Sequence, residues 1–269
     1  MLDDKVPNTA RVYNCWLGGK DNFAADRVLA QRVIDAAPDM RWMVHAGRQW
    51  MLRVVDFLAR EGIRQFLDLG VGLPHAPNLH EQVQQIAPES RIVHVDNDPL
   101  VIAHARALLI SDPSGYCGVV DADIRAIDEV LTSREVATID LAEPVGIVCS
   151  SVLMLLTDRD DPWGIVGRLR EWAPPGSYLA ISHPTADHDS AAAAVEAITG
   201  DAGIIFTPRT YDQVRALFGD WQVVSPGVVP TAAWCPDRPT DSSPAGYDWA
   251  GVARNPDCRT SQASAGERR

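Results

Sequence analysis

The fold of this chain is set by the stretch Phe66-Leu67-Asp68-Leu69-Gly70-Val71-Gly72-Leu73. Residues 66–69 form a short apolar run, which predicts a buried strand, and Asp68 interrupts that run near its end. A buried carboxylate without a partner costs several kcal/mol, so Asp68 is expected to serve a purpose. Gly70 and Gly72 follow at once, and they allow the backbone to turn sharply and to approach a ligand closely.

A second predicted strand, residues 91–95, ends in Asp96-Asn97-Asp98-Pro99. A glycine-rich turn after one strand and an acid at the tip of the next are typical of a nucleoside site in a doubly wound sheet. The dinucleotide pattern GxGxxG would require glycine at position 75, where this chain has His75. That glycine permits close helix packing beneath a pyrophosphate, so its absence counts against NAD as the ligand.

Strand-like and helix-like patterns alternate along the middle of the chain. The further predicted strands are residues 116–120, 144–152 and 177–182. Such alternation predicts an α/β fold with a Rossmann-like, doubly wound, mostly parallel sheet and right-handed crossovers. Residues 24–37 and 41–60 carry apolar side chains three to four positions apart, which predicts two helices as an N-terminal extension.

The pattern changes towards the C-terminus. Residues 189–199 predict an Ala-rich helix, and residues 221–230 and 232–234 are compatible with two strands. From Cys235 onwards Pro, Asp, Ser, Gly and Arg dominate, which predicts that residues 238–269 are largely disordered unless they dock onto the core. We therefore divide the chain into an N-terminal lid segment with helices (1–62), a Rossmann-like core (63–235) and a disordered tail (236–269).

Composition limits the classes of function. The net charge of −12 over 269 residues argues against a protein that holds nucleic acid through its phosphates. Five cysteines without CxxC spacing favour a reducing compartment, with neither a disulfide framework nor a structural metal. The N-terminus lacks an apolar signal core, and no stretch approaches the roughly 18 apolar residues of a membrane span. We expect a cytoplasmic protein without a membrane partner.

Residues 10–23 form an unusual N-terminal run. Aromatic and apolar residues lead into Gly18-Gly19, and Lys20-Asp21-Asn22 follows. Two glycines before polar side chains suit a tight turn that closes over a ligand as a lid. The alternative is a turn that only caps the core with Tyr13 and Trp16.

Taken together, these motifs resemble class I S-adenosylmethionine-dependent methyltransferases. The resemblance is carried by Asp-x-Gly-x-Gly at 68–72, the acid Asp96 and Asp-Ala-Asp-Ile at 121–124. A narrower similarity is to a bacterial methyltransferase family formerly grouped as a domain of unknown function, and it covers roughly residues 8–235. Its matching segments are residues 11–23, 66–74, 95–99, 207–209 and 225–227. The turn departs from the usual methyltransferase motif at Pro74, where a third glycine would stand.

The resemblance implies a seven-stranded sheet with an antiparallel last strand, and S-adenosylmethionine bound at the carboxyl ends of the strands. Asp68 would order the turn or approach the methionine ammonium. Gly70 and Gly72 would let the backbone pass the cofactor. Asp96 would accept hydrogen bonds from the ribose hydroxyls, with Asn97 beside the adenine.

The resemblance assigns the remaining roles to three further regions. Asp123 would take the adenine amino group, and the Ile124 backbone would meet the ring edge. Ser150, at the end of the fourth strand, would line the floor of the site. The lid would contain Asn14, Gly19 and Lys20.

The chemistry of this cofactor suits an acidic site, because it carries a sulfonium and an ammonium but no phosphate. The protein mainly has to position an acceptor, expected to be a small molecule, and exclude water. Where a general base is needed, His183 is the first candidate, and His75 and Tyr13 are weaker ones. Two alternatives stay open: an NAD-type oxidoreductase, and a catalytically silent regulatory protein that keeps the cofactor.

Overall fold

The computed structural model describes residues 3–187, 189–235 and 247–256. Within these residues one sheet is built from seven strands: β1 Gln65–Leu69, β2 Arg91–Asp96, β3 Tyr116–Asp121, β4 Gly146–Ser150, β5 Tyr178–Pro184, β6 Gln222–Val223 and β7 Asp248–Arg254. Their order across the sheet is β3-β2-β1-β4-β5-β7-β6. The first five strands pair in parallel, whereas β7 runs antiparallel to both β5 and β6. The predicted doubly wound sheet with an antiparallel last strand is confirmed.

The described helices are α1 Thr9–Trp16, α2 Ala24–Ala36, α3 Met40–Arg60, α4 Leu79–Ile86, α5 Pro99–Leu108, α6 Ile127–Leu131, α7 Pro162–Trp172, α8 Asp189–Asp201 and α9 Tyr211–Leu217. The predicted N-terminal helical extension is confirmed as α2 and α3, and α1 precedes them. Capping residues in the sequence determine where several helices begin. The Asp98 side chain caps α5 by accepting from the backbone N–H groups of Leu100 and Val101.

Strand β7 corrects the assignment of residues 248–254 to a disordered tail. Residues 248–254 lie between β5 and β6, and Ala250, Val252 and Ala253 are fully buried. Residues 232–234, which we considered compatible with a strand, do not form one, because Thr231–Ala233 is a 3-10 turn. The surrounding Pro- and Ser-rich composition hides this short apolar segment, and pairing with β5 supplies the stability that its length alone does not. The tail predicted at 236–246 and 257–269 lies outside the described residues.

Both faces of the sheet are covered, so all five residues of β1 are buried. One apolar cluster contains Leu67, Val93 and Ile147. A second cluster packs Trp50 of α3 against Phe66 from the other face. A third cluster joins α1, α2, the start of α3 and α8, so the N-terminal segment shares its core with a helix that follows β5.

Candidate functional site

A cavity of about 250 Å³ opens at the carboxyl ends of the parallel strands. Its lining includes residues at or just after the carboxyl ends of β1, β2, β3 and β4, namely Asp68, Gly70, Gly72, Asp96, Asn97, Asp123, Ile124 and Ser150. The strand order reverses direction between β1 and β4, and open α/β sheets bind ligands at such a switch point. Eight of the predicted cofactor-binding residues therefore lie together around one cavity.

The turn after β1 depends on its glycines. Gly70 has a φ of +75°, and its N–H donates to the Val95 carbonyl at 2.8 Å. A Cβ at this position would lie 2.5 Å from Cγ2 of Val152, so the turn has no room for a side chain there. Gly72 has a φ of +65°, and a Cβ there would meet no described atom within 4 Å. Gly72 therefore leaves its backbone open to the cavity.

Hydrogen bonds accepted by Asp96 connect the turn after β1 to the end of β2. Its Oδ2 accepts from the Gly72 N–H at 3.0 Å, and its Oδ1 accepts from the N–H groups of Asn97 and Asp98. Burial raises the pKa of Asp96, and the neighbouring Asp98 adds to that rise, while the three backbone donors oppose it. The carboxylate is thereby held in one orientation at the rim of the cavity.

Asn97 and Asp123 connect the ends of β2 and β3. The Asn97 Nδ2 donates to Asp123 Oδ2 at 2.9 Å, and Asp123 also accepts from the Arg125 N–H. Burial raises the pKa of Asp123, but the hydrogen bonds from Arg125 and Asn97 outweigh it and lower the pKa overall. The Asp123 side chain is partly exposed and stays ionised at the edge of the cavity, and the neighbouring Ile124 is buried.

Asp68 has a buried partner that sequence reasoning missed. The parallel register sets Asp68 opposite His94 of β2, and its Oδ2 lies 2.8 Å from His94 Nδ1. Burial lowers the pKa of His94, but hydrogen bonds with Asp68 and Cys117 prevail and raise it to about 9. A histidine inside the apolar run 91–95 was the available signal. His80 and Cys117 adjoin it, and the ligand-capable atoms of the three lie within 4.8 Å of one another, which the sequence spacing does not reveal.

This pair predicts a pH dependence of stability. The folded-state pKa of His94, about 9, lies above the unfolded value of about 6.5. Its contribution to the free energy of unfolding is therefore fully present below pH ~6.5 and is lost as the pH rises through ~9, by up to about 3 kcal/mol. Denaturant unfolding between pH 6.5 and 9.5 measures this loss, and His94→Gln should flatten the pH dependence. Parallel curves for the two proteins would contradict the prediction.

The N-terminal run faces the cavity through helix α1 and not through its glycine turn. Of the described residues, those of this region that line the cavity are Asn8, Thr9, Ala10, Tyr13 and Leu17. Asn8 donates to Asp98, which ties the start of α1 to the start of α5. Arg11 pairs with the buried Asp26 at 2.8 Å and holds α1 against α2. The helix is thus fixed as one wall of the cavity.

Asn14, Gly19 and Lys20, predicted as lid residues in the site, are absent from the described cavity lining. The Asn14 Oδ1 accepts from the Asp21 N–H at 3.1 Å and from Asn22 Nδ2 at 3.0 Å. A Cβ at Gly19 would overlap the Asn14 side chain, and Lys20 is exposed. Asn14 and Gly19 therefore shape the turn that follows α1, so their effect on the cavity is indirect.

His183 does not fit the role of general base. It is fully buried, and it is absent from the described lining of the cavity. Its Nδ1 lies 2.9 Å from the Pro184 carbonyl, and its Nε2 lies 2.9 Å from the Arg209 guanidinium. Burial lowers the pKa of His183 to about 4, and Arg209 also lowers it. Because Arg209 also donates to Leu153 O and Leu156 O, the pair fixes the turn after β4.

Arg48 is a cavity residue whose role the sequence did not indicate. Its guanidinium donates to the carbonyl groups of His75 and Pro77, and these bonds hold the loop before α4. Its Nε is buried without a hydrogen-bond partner in the described structure. Burial lowers the pKa of Arg48, and Tyr13 and Asp68 oppose that shift. Arg48 is therefore a cationic donor among the acids of the cavity, in addition to Arg125, which also lines it.

A second, smaller cavity of about 60 Å³, which we call the apolar pocket, adjoins the first. Both cavities are lined by Thr9, Tyr13, Ser151, Met154 and Leu155. Its further walls come from α2, the start of α3, α8 and the loop 204–206. Asp248, the first residue of β7, also lines it and accepts from the Thr231 N–H at 3.1 Å and the Thr231 hydroxyl at 2.7 Å. Burial raises the pKa of Asp248 to about 6, against the hydrogen bonds from Thr231.

The strand order, the antiparallel last strand and the acidic cavity at the switch point define a class I S-adenosylmethionine-dependent methyltransferase. The chain belongs to the S-adenosyl methyltransferase family, whose model matches residues 1–256. The resemblance to a methyltransferase family formerly grouped as a domain of unknown function is confirmed. The cofactor of this enzyme is S-adenosylmethionine.

Solved structures of similar chains agree with this family. A DUF574 family protein from Streptomyces avermitilis is 37% identical, with a TM-score of 0.91, over 94% of this chain and 99% of that chain. A candidate methyltransferase from Thermobifida fusca is 38% identical, with a TM-score of 0.88, over 95% and 97% of the two chains. An O-methyltransferase family protein from Burkholderia thailandensis is 14% identical over 85% of this chain and 63% of that chain, and its TM-score of 0.53 reflects a shared fold. No curated protein matched the chain.

Among the described residues, no helix is both long enough and apolar enough to span a membrane.

Proposed function

We propose that S-adenosylmethionine binds in the cavity at the ends of β1 to β4 and that its methyl group passes to a small-molecule acceptor. This proposal depends on a series of hydrogen-bonded polar groups that spans the ends of β1, β2 and β3. The Gly72 N–H donates to Asp96, and the Asn97 side chain donates to Asp123. We propose that Asp96 takes the ribose hydroxyls, and that Asp123 and the Ile124 backbone meet the adenine.

The residues present fit this cofactor. An ionised carboxylate offers roughly four acceptor positions, and backbone donors use three of those of Asp96, so acceptor capacity is left for a ribose hydroxyl. The open space at Gly72 leaves room beside the backbone for a bulky ligand. The unpartnered Nε of Arg48 supplies a donor that suits the carboxylate of the methionine part.

The protein's own contribution to transfer is positioning and the exclusion of water. When bound, S-adenosylmethionine supplies a methyl carbon that is activated by positively charged sulfur. Helix α1 and the residues 151–156 wall off the cavity, and Asp68 is kept in place by His94. Ser150, whose hydroxyl lies 3.3 Å from that of Ser182, contributes a polar floor.

An acceptor of small size is supported by the position of the apolar pocket. This pocket adjoins the cofactor cavity at Tyr13 and Met154, and its other walls come from α2, α3, α8 and the loop 204–206. A macromolecular acceptor would have to insert a side chain or base into a volume of about 60 Å³. We also propose a cytoplasmic location, which is supported by the free thiols of Cys15, Cys117, Cys149 and Cys235.

Calorimetry distinguishes this proposal from an NAD-type oxidoreductase. We expect S-adenosylhomocysteine to bind with a stoichiometry of one, and NADH at the same concentration to give no binding heat. Binding of NADH in preference to S-adenosylhomocysteine would overturn the proposal. A catalytically silent protein would bind S-adenosylhomocysteine but would transfer no label from methyl-labelled S-adenosylmethionine to any small molecule of a cell extract.

A further inference from the structure

The apolar pocket is small and almost free of charge. A water molecule requires about 10–15 Å³ of cavity volume. The apolar pocket has a volume of about 60 Å³, so it holds about four to six water-sized groups. This is the size of one ring or a branched chain. Its walls include Trp16, Met43, Val44, Val195 and Phe206. Such walls favour a compact hydrocarbon body by the hydrophobic effect.

The charged groups of the pocket restrict the acceptor further. Among its described lining residues Asp248 is the one ionisable acid, and no lysine, arginine or histidine is present. An acceptor that carries a carboxylate or phosphate would be desolvated there without a cation to pair with it. The pocket therefore selects against anionic molecules.

Asp248 lies at the edge of the sheet where the cofactor cavity opens. Because β7 is antiparallel to β5, its first residue is paired with Pro184 at the carboxyl end of β5. The residue is 8% exposed, and its carboxylate is oriented by Thr231. Tyr13, which lines both cavities, interacts electrostatically with Asp248. A pKa of Asp248 of about 6 places it near the range of an effective general base.

We propose that the apolar pocket binds an uncharged acceptor with one compact ring or branched body and a hydroxyl group, and that Asp248 is its general base. This inference rests on the proposed cofactor site. The acceptor oxygen forms a bond to the methyl carbon as the bond between that carbon and sulfur breaks, and the sulfur keeps the electron pair. The hydroxyl proton passes to the Asp248 carboxylate and then to solvent. The products are a methyl ether and S-adenosylhomocysteine.

Ligand-observed NMR with phenol and benzoate tests the pocket without requiring turnover. With S-adenosylhomocysteine saturating, we expect phenol to give saturation-transfer signals and benzoate to give signals at least tenfold weaker. If S-adenosylhomocysteine itself does not bind, the proposed cofactor site fails. If it binds but phenol does not, or benzoate binds equally well, the acceptor inference alone is overturned.

Gly47→Leu supplies a variant that fills the pocket. Gly47 lies in α3 and lines the apolar pocket, and a Cβ there would meet no described atom within 4 Å. The larger side chain should abolish phenol binding and leave S-adenosylhomocysteine affinity within about twofold. Gly200→Leu is the matched control, because Gly200 is also helical with open space at Cβ but is exposed and lines neither described cavity. Equal phenol binding by Gly47→Leu and Gly200→Leu would overturn the assignment of the pocket.

The variant Asp248→Asn tests whether Asp248 acts as the general base. Asparagine retains one acceptor for Thr231 but takes up a proton poorly. We expect label transfer from methyl-labelled S-adenosylmethionine to phenol to fall roughly a hundredfold. Phenol binding by NMR should persist, which excludes loss of the fold. Transfer at the wild-type rate would remove Asp248 from catalysis.

Discussion

Replacing Asp96 with alanine is expected to weaken S-adenosylhomocysteine binding roughly 1000-fold, about 4 kcal/mol. Two losses combine in this variant. The ribose hydroxyls lose a charged acceptor, which is worth about 1.5–3 kcal/mol per hydrogen bond. The Gly72 N–H also loses its partner, so the turn after β1 is less well ordered. Isothermal titration calorimetry measures the change directly.

The control for this variant is Asp121→Ala. Asp121 is paired with Asp96 in the register of β2 and β3, but it is exposed and absent from the described cavity lining. The two variants remove the same charge from neighbouring strand ends, so the general electrostatic effect is matched. We expect Asp121→Ala to change affinity less than threefold. Equal losses in both variants would indicate a general effect of charge and would contradict direct contact by Asp96.

Replacing Gly70 with alanine is expected to lower the free energy of unfolding by about 4 kcal/mol and to abolish measurable cofactor binding. The left-handed backbone at a φ of +75° costs an alanine about 1–3 kcal/mol. The added Cβ would also lie 2.5 Å from Val152, and such overpacking costs a further 1–3 kcal/mol or so. Denaturant unfolding measures the first effect, and calorimetry measures the second.

Two further variants separate the causes of this destabilisation. Gly203→Ala meets the same kind of strain, at a φ of +74°, but its Cβ would meet no described atom within 4 Å. The Gly203→Ala variant should therefore lose only the stability that the backbone strain costs, about 1–3 kcal/mol. Combining Gly70→Ala with Val152→Ala should recover part of the lost stability by removing the clash. A double variant that is no more stable than expected from two independent losses would exclude the steric explanation.

Several features of the site were predictable because they depend on local sequence. The apolar run 66–69, its acid and the two glycines specify a buried strand and a turn through short-range constraints on the backbone. The acids at the ends of β2 and β3 could be placed at one edge because parallel strands align their carboxyl ends. His94 was visible as a polar residue in an apolar strand, yet its pairing with Asp68 depends on the register between β1 and β2.

Other assignments depended on which elements pack together, and the local sequence does not show this. His183 follows the predicted fifth strand directly, as site residues often do, but Arg209 occupies its Nε2 from a segment that is distant in the chain. The glycines after α1 resembled a lid, but Asn14 fills the space beside them. Asp248 was assigned to a disordered tail because only pairing with β5 makes its segment a strand.

The sequence by itself determined the doubly wound sheet, the glycine turn after β1 and the acids at neighbouring strand ends. Each of these follows from hydrophobic periodicity or from backbone constraints over a few residues. Tertiary structure alone decided that α1 walls the cavity, that His183 is buried and that Asp248 enters the apolar pocket. These positions result from long-range pairing and packing, whose free energy comes from residues far apart in the chain.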